Sequence, residues 1–394
     1  MSVTPATFTP VIDCYRAERA VSARDESVSW VVVRTADYTL HAEAAAYLAA
    51  LRAMDRSPNT ERVYAGRVAL YLSYAAVHGL DWSRPGLEDL AGFLRWLVAE
   101  PLPARGRSPS VEPRFRSKKA ANAVMTTVCG FLRFGARHGW VPVEVVARLS
   151  EPRFLAYLPP GHDAGEHGQF RTVRAKTIKF RVADEGYEWL SREQFAQLLP
   201  LTCNARDRFM VALIGSTGMR IGETLGLRRE DMHLLASSTA LGCRVAGPHV
   251  HVRRRANANG ALAKSRFPRS IPVTEDVVGL YADYVHERDR VPEAAGTDMV
   301  FVNLFREPLG RPVGYPNAKD MFDRLAKRAG FVVRPHLLRH TAATGWVRSG
   351  VARDVVQTLL GHVSPSSMDP YLHASDQDKR DAVERVAARG GRQA

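Results

Sequence analysis

Cysteine is scarce in this chain: four residues in 394, and Cys14, Cys129, Cys203 and Cys243 lie far apart with no C-x-x-C pair. That spacing indicates neither a disulfide scaffold nor a cysteine zinc knuckle, and the thiols are expected as small core residues in a reducing compartment. Long apolar runs are missing as well. Nothing approaches the ~18 consecutive apolar residues of a membrane span. The opening MSVTPATFTP has no basic segment leading into an apolar one. A cytoplasmic protein with no membrane partner is the expectation. Acidic residues fall short of basic ones, 41 Asp+Glu against 55 Lys+Arg, leaving a net charge of +14. The excess favours a polyanionic partner, nucleic acid first. A merely basic soluble protein would carry the same charge, so charge alone does not decide.

What is present is mostly helical pattern. With 45% hydrophobic residues the chain can bury more than one core, and two or three domains are expected. Residues 1–40 mix Pro, Thr and charge around VSWVVVRT, which reads as one strand, and are set apart as an N-terminal extension. Helical spacing begins near His41. Ser57-Pro58 reads as an N-cap followed by an N1 proline, and apolar residues recur at helical intervals over 63–77, 87–99 and 117–138. These helices predict a compact helical domain over 41–150 whose aromatic stripe (Tyr71, Tyr74, Phe93, Trp96, Phe131) belongs to its core. Arg114, Arg116, Lys118 and Lys119, at the end of a Pro- and Arg-rich loop, are candidate DNA contacts. Residues 151–185 read as a basic linker, in which RTVRAKTIKFR spaces Arg174 and Lys176 along an extended segment suited to phosphates.

The last domain, 186–394, opens on WLSREQFAQLL with Ser191 as N-cap. ARDRFMVALIGSTGMRIGETLGL is an apolar helix broken at Ser216-Thr217-Gly218. Arg220 then stands where a second helix opens, a place that favours an anion, and Glu223 can orient it. Over about 248–273 the periodicity alternates. HVHVRRR, ANANG and ALAKSRFPRSIPV predict a β-hairpin turning at Asn259-Gly260, with Lys264 at the start of the returning strand. Arg254, Arg255, Arg266 and Arg269 suit phosphate contacts, whereas Lys264 alone gives up a proton readily. Two further helices flank a strand-like MVFVNLF and lead to RPHLLRHTAATGWVRSG. VARDVVQTLLGH is amphipathic with Val355, Val356, Leu359 and Leu360 inward, Gly361 caps it, and a Ser/Pro loop runs from His362 to Tyr371. The polar tail after Tyr371 reads as a helix.

The chemistry is legible before any family. H-x-x-R-H places His336, Arg339 and His340 on one helix face. Two separated arginines, Arg220 and Arg339, can fork onto both non-bridging oxygens of a phosphodiester. A tyrosine phenol, with an ordinary pKa of about 10, becomes a nucleophile only among cations and a proton acceptor. Histidines at i and i+4 also resemble the start of a zinc protease helix, but that motif needs H-E-x-x-H and this one reads H-L-L-R-H. No metal and no cofactor are expected.

GSTGMRIGETLGLRREDM around Arg220, RPHLLRHTAATGWVRSG around Arg339, LLGH at 359–362, and Tyr371 nine residues on (371 − 362) together resemble the tyrosine recombinase, or phage integrase, family. The ANANGALAKS wording is similar to integrases carried by site-specific transposons. The resemblance implies a mainly α fold with a small β-sheet: a SAM-like core-binding domain and an α+β catalytic domain forming a C-shaped clamp on duplex DNA. It implies catalytic roles for Arg220, Lys264, His336, Arg339, His362 and Tyr371, with Glu223 and His340 supporting them. It further implies cleavage and rejoining through a 3′-phosphotyrosyl bond without metal or ATP. The partners would be double-stranded DNA with specific recombination sites, a tetramer of this chain on that DNA, and an accessory directionality factor. A DNA-binding relative without catalysis and a topoisomerase-like relaxer are the rivals.

Overall fold

A computed structural model describes residues 14–54, 56–103, 113–158, 165, 167, 169–183, 188–265 and 267–361. The chain divides into two compact units, Met1–Asp184 and Glu185–Ala394. The fold is mainly α with small antiparallel sheets, and no helix among the described residues is long and apolar enough to cross a membrane.

In the first unit, strands β1 (Tyr15–Val21) and β2 (Val28–Arg34) pair antiparallel ahead of helices α1 (Ala42–Ala53), α2 (Pro58–Val77), α3 (Leu87–Ala99) and α4 (Lys118–Arg137). Serine caps set two of the helix starts: Ser57 accepts from the Thr60 N–H and Ser117 from the Ala120 N–H. The core takes Tyr71, Tyr74, Phe93 and Phe131 as the sequence pattern predicts, with Trp96 packed half-buried against it. Of the stretch set apart as an N-terminal extension, the described residues 14–40 are packed on the first unit. Val32 is fully buried in the helical core, the buried Ser73 hydroxyl bonds both the N–H and C=O of Tyr15, and the buried Glu61 carboxylate accepts from the Trp30 N–H and from Arg52. Pairing makes the hairpin; its first strand is not legible in sequence because YRAERAV reads as charged rather than alternating.

The stretch read as a linker is likewise folded in part. After the short helix α5 (Val143–Arg148), β3 (Ser150–Phe154) pairs with β4 (Thr172–Lys176), and Ile178 and Phe180 pack against the helical core. Asn122 on α4 clamps this segment, its side chain giving to the Phe180 carbonyl at 2.9 Å and taking from the Phe180 N–H at 2.8 Å. Two buried-side hydrogen bonds and two apolar anchors explain why a basic, Pro-bearing stretch is held on one unit.

The second unit is built around α7 (Ala205–Thr217), which buries Phe209, Met210, Val211, Leu213 and Ile214 and so is apolar nearly all round. Around it lie α6 (Arg192–Leu198), the single turn α8 (Ile221–Thr224), a sheet of order β5 (Met232–His233), β6 (His249–Val252) and β7 (Arg269–Pro272), then α9 (Glu275–Arg288), α10 (Tyr315–Ala329), α11 (Pro335–Arg348) and α12 (Arg353–Leu360). MVFVNLF is not a strand of that sheet. Its residues Met299, Val300, Phe301 and Val302 are buried, but they pair only through isolated bridges to Arg228 and Pro312. Their apolarity reflects burial on all sides, which periodicity alone does not distinguish from a central strand. On α12, Val356 and Leu360 face inward as expected, whereas Val355 is 46% exposed.

Candidate active site

The site is assembled on the carbonyl end of α12. Arg339, at the fifth position of α11, is 1% exposed and donates to the carbonyls of Gly218 and Leu360. Arg220, the N-cap of α8, donates to the same Leu360 carbonyl at 3.4 Å. One acceptor thus holds the two guanidinium groups side by side. Arg269 on β7 completes the set, giving its Nε–H to the Leu359 carbonyl at 2.9 Å. The last carbonyls of a helix have no intrahelical donor and carry the negative end of its dipole, so three guanidiniums are a natural cap for them. Gly361 ends the helix at φ +63°.

Glu223 ties the arginines together from below. It is 3% exposed; Oε1 and Oε2 accept from Arg220 (3.0 Å to the guanidinium and 3.0 Å to its backbone N–H) and from Arg269 (2.7 and 3.3 Å). Burial pushes this carboxyl up. The hydrogen bond and charge of Arg269, with the charge of Arg220, outweigh that and hold it below its ordinary 4.5. Arg220 keeps 26% of its side chain exposed while Arg269 keeps 7%. Arg220 can therefore still meet a ligand. Arg269 cannot serve as the surface phosphate contact its sequence position suggests, because its guanidinium is consumed by Glu223 and Leu359.

His336, Arg339 and His340 share one face of α11 as the spacing predicts, and the His336 and His340 rings meet edge to face with centroids 4.2 Å apart. His336 is held below its ordinary 6.5, first by burial and then by the charges of Arg339, Arg220 and Lys264. Those three cations therefore lie within electrostatic range of the imidazole. His340 is buried behind them. A cleft of about 210 Å³ opens beside His336, lined also by Ile221, Val333, Arg334 and Pro335.

Lys264 reaches the site on a loop, not on a strand. β6 and β7 do pair, but only from Val252 back to His249 and from Arg269 on to Pro272, so residues 253–268 form one long connection. Side-chain amides shape it: Asn259 donates to the carbonyls of Leu225 and Val313 at 2.9 Å each, and Asn257 donates to Ala261. The loop lies so close on α8 that a Cβ at Gly222 would stand 2.8 Å from the Leu262 carbonyl. Pinned between α8 and the segment that leads into α10, it cannot extend into a ladder. Lys264 itself is exposed, beside the buried Ala263 and Ser265.

α8 is four residues long. A single turn has little macrodipole, so the anion preference expected at Arg220 rests on the guanidinium and not on the helix end. Among the other cations, Arg255 forms a bidentate pair with the buried Asp231 and also meets Glu230, which corrects its assignment as a phosphate contact. Arg254 is exposed. In the first unit Lys118, Lys119, Arg114, Arg174 and Lys176 are exposed, Lys176 bonding Thr126 and Arg174 bonding Ser150. Arg116 is half-buried, and burial draws its guanidinium below its ordinary value against the pull of Glu100. Arg266, His362 and Tyr371, with the tail beyond, lie outside the described residues. Sequence reading missed a group of His233, Cys243, His249 and His251, whose ligand atoms lie within 4.8 Å of one another. H-V-H on a strand was its one visible signal.

The phage integrase family model matches residues 188–378, and the model of the phage integrase N-terminal SAM-like domain matches residues 44–110. The chain belongs to the phage integrase family of tyrosine recombinases. Among its relatives is transposase A from transposon Tn554 of Staphylococcus aureus (strain N315), 28% identical over 343 residues that cover 85% of this chain and 88% of the relative. A tyrosine recombinase of Pseudothermotoga lettingae is 26% identical over 219 residues, 55% of this chain and 66% of that one. The fold is that of the Tn1549 transposon integrase in complex with transposon right end DNA (TM-score 0.59, 16% identity, 88% of this chain and 99% of that one). It is equally that of a lambda integrase dimer bound to a COC′ core site (TM-score 0.52, 15% identity, 85% and 95%). Both tyrosine recombinases and a transposon-borne branch are thus represented among the matches.

Proposed function

We propose that this tyrosine recombinase is a site-specific DNA recombinase that cuts and rejoins strands during integration, excision or transposition of a mobile element. The observation that carries the reading is the convergence of Arg220 and Arg339 on the Leu360 carbonyl at the end of α12, with His336 within reach of their charges and of that of Lys264. Arg220 and Arg339 hold the non-bridging oxygens of one phosphodiester and oppose the charge that builds in the pentacoordinate transition state. Tyr371 Oη attacks phosphorus and its proton passes to His336, which is held neutral for that purpose; the Oη–P bond forms as the P–O5′ bond breaks. Lys264 protonates the departing 5′-oxygen. His362 donates to the phosphate or orients Tyr371, Glu223 fixes Arg220, and His340 backs His336. A 5′-hydroxyl from the partner duplex reverses the step.

Metal and ATP have no part in this chemistry. The phosphotyrosyl bond conserves the energy of the phosphodiester, and Glu223 is engaged by two arginines rather than offered to a cation. By family analogy four copies act on two duplexes in the cytoplasm, with an accessory factor setting direction, and exposed Lys118, Lys119, Arg114, Arg174, Lys176 and Arg254 contribute phosphate contacts.

Lys264 tests the scheme. Lys264→Ala should lose cleavage of ordinary DNA and regain it on a substrate with sulfur in the bridging 5′ position, a leaving group that needs no proton. Equal loss on both substrates would remove Lys264 as the acid. Cleavage should proceed with Mg²⁺ and ATP omitted, and a requirement for either would contradict the mechanism.

His336 predicts a pH profile. Its pKa is lowered on folding, so the imidazole stays neutral below 6.5 and is lost as a base only as pH falls through the lower folded value. The same shift makes folding stability decline as pH falls below the unfolded value of about 6.5. The acid limb of kcat/KM, which reports the free enzyme, should therefore lie below 6.5 and vanish in His336→Gln. An acid limb above that value would mean another base.

A further inference from the structure

The sheet of the second unit gathers four metal-ligating side chains that the recombination chemistry does not use. Antiparallel pairing sets His233 on β5 directly opposite His249 on β6, and His251, two residues along, shares the same face of β6. The 234–248 connection then brings Cys243 back onto them. Cys243 Sγ lies 3.3 Å from His249 Nε2 and 3.4 Å from His251 Nε2, and those two nitrogens are 3.1 Å apart. All four ligand atoms fall within 4.8 Å of one another. For a tetrahedral Zn²⁺ with Zn–N of about 2.0–2.1 Å and Zn–S of about 2.3 Å, ligand atoms stand about 3.3–3.6 Å apart. The two contacts of Cys243 Sγ already match that cage, and the nitrogen pair at 3.1 Å stands slightly inside it.

The surroundings fix the right nitrogen of each ring. His249 Nδ1 lies 2.7 Å from the Gly247 carbonyl and so carries the proton, which leaves Nε2 with a lone pair toward Cys243. His251 Nδ1 is 3.1 Å from Ser270 Oγ, a hydroxyl able to accept the ring proton there and leave Nε2 free for a metal. His233 uses Nε2 for the Glu230 carbonyl at 3.2 Å; its Nδ1 is then the unprotonated nitrogen, and it is buried without a partner in a residue 6% exposed. An unpaired lone pair sealed beside two imidazoles and a thiol lacks one thing, a Lewis acid. Partners on the outer nitrogens of ligating histidines are what orient such sites.

We propose that His233, Cys243, His249 and His251 form a closed structural zinc site that staples the 234–248 connection to the sheet. One thiolate and three imidazoles suit Zn²⁺ over the harder Mg²⁺ and Ca²⁺, and four protein ligands leave no position open for substrate. The site does not enter the phosphoryl transfer. It secures β6, from whose end the Lys264 loop departs at residue 253.

The test is elemental analysis of the full chain, made without a histidine tag or added metal and passed through gel filtration. About one zinc per chain is expected, falling to near zero in Cys243→Ser. With Co²⁺ in place of zinc, the protein should show the visible bands of a tetrahedral ion and a near-ultraviolet thiolate charge-transfer band that Cys243→Ser removes. Stripping the wild type with a strong chelator should lower its Tm, and Zn²⁺ but not Mg²⁺ should restore it. Absence of zinc together with a Tm indifferent to chelator and Zn²⁺ overturns the proposal. So does zinc retained at full level by a folded Cys243→Ser. Should that variant fail to fold, the cobalt spectrum of the wild type decides: without the charge-transfer band, the site is wrong.

Discussion

Tyr371→Phe is expected to bind its DNA with unchanged affinity and to form no covalent adduct above background. In the proposed mechanism, affinity resides in phosphate contacts made by cations, and the phenol oxygen adds to binding only when the reaction begins. The substitution keeps the aromatic ring and removes the oxygen that would bond to phosphorus. Reach is no obstacle. Tyr371 stands ten positions after Gly361 (371 − 361), a span of up to about 35 Å if extended, and the residue before Gly361 already touches both Arg220 and Arg339. Fluorescence anisotropy for binding and SDS gels for adduct separate the two quantities. Retained adduct would mean that another residue is the nucleophile.

Glu223→Gln carries the second large effect, on stability and activity together. The carboxylate is fully buried at its side chain and neutralises Arg220 and Arg269. Removing one partner of a buried ion pair leaves the others uncompensated, at a cost of about 3–5 kcal/mol. A glutamine also turns an NH₂ group toward a guanidinium. Urea denaturation should show a loss of about 3 kcal/mol, and cleavage should fall about a hundredfold as Arg220 loses its orientation. The wild-type contribution has its own pH signature. Because the folded pKa is lowered, it is present above the unfolded value near 4.5 and disappears as pH falls through the folded one. A variant as stable as wild type would show that Glu223 is not the keystone of the arginine cluster.

Local rules made much of this molecule legible in sequence. Ser57-Pro58 and Ser191 mark helix starts by capping, H-x-x-R-H sets three side chains on one face by the helical period, and the Gly218 break delivers Arg220 to the next turn. What escaped were decisions made at long range. Arg269 and Arg255 look like surface cations until Glu223 and Asp231, from distant segments, fold against them. The Lys264 segment alternates like a strand, yet Asn257 and Asn259 find carbonyl acceptors that hold it as a loop. In the 14–34 hairpin only VSWVVVRT reads as a strand, because its partner YRAERAV is charged, and the β3–β4 pair was hidden because its two strands, and the asparagine that holds the segment after them, lie far apart in sequence. The His/Cys group went unseen for the same reason, since its four residues are spread over nineteen positions (233 to 251) and join only when β5 meets β6.

The central claim is a tyrosine–phosphorus bond made at the arginine cluster. The most direct measurement is to trap the wild-type protein on DNA flanking its own gene with SDS, digest the DNA, and locate the residual nucleotide by mass spectrometry while sequencing the joined strand. The account predicts a single 3′-phosphate linked to Tyr371 at one recurrent junction. A nucleotide on a serine, on another tyrosine, or through a 5′-phosphate would contradict it.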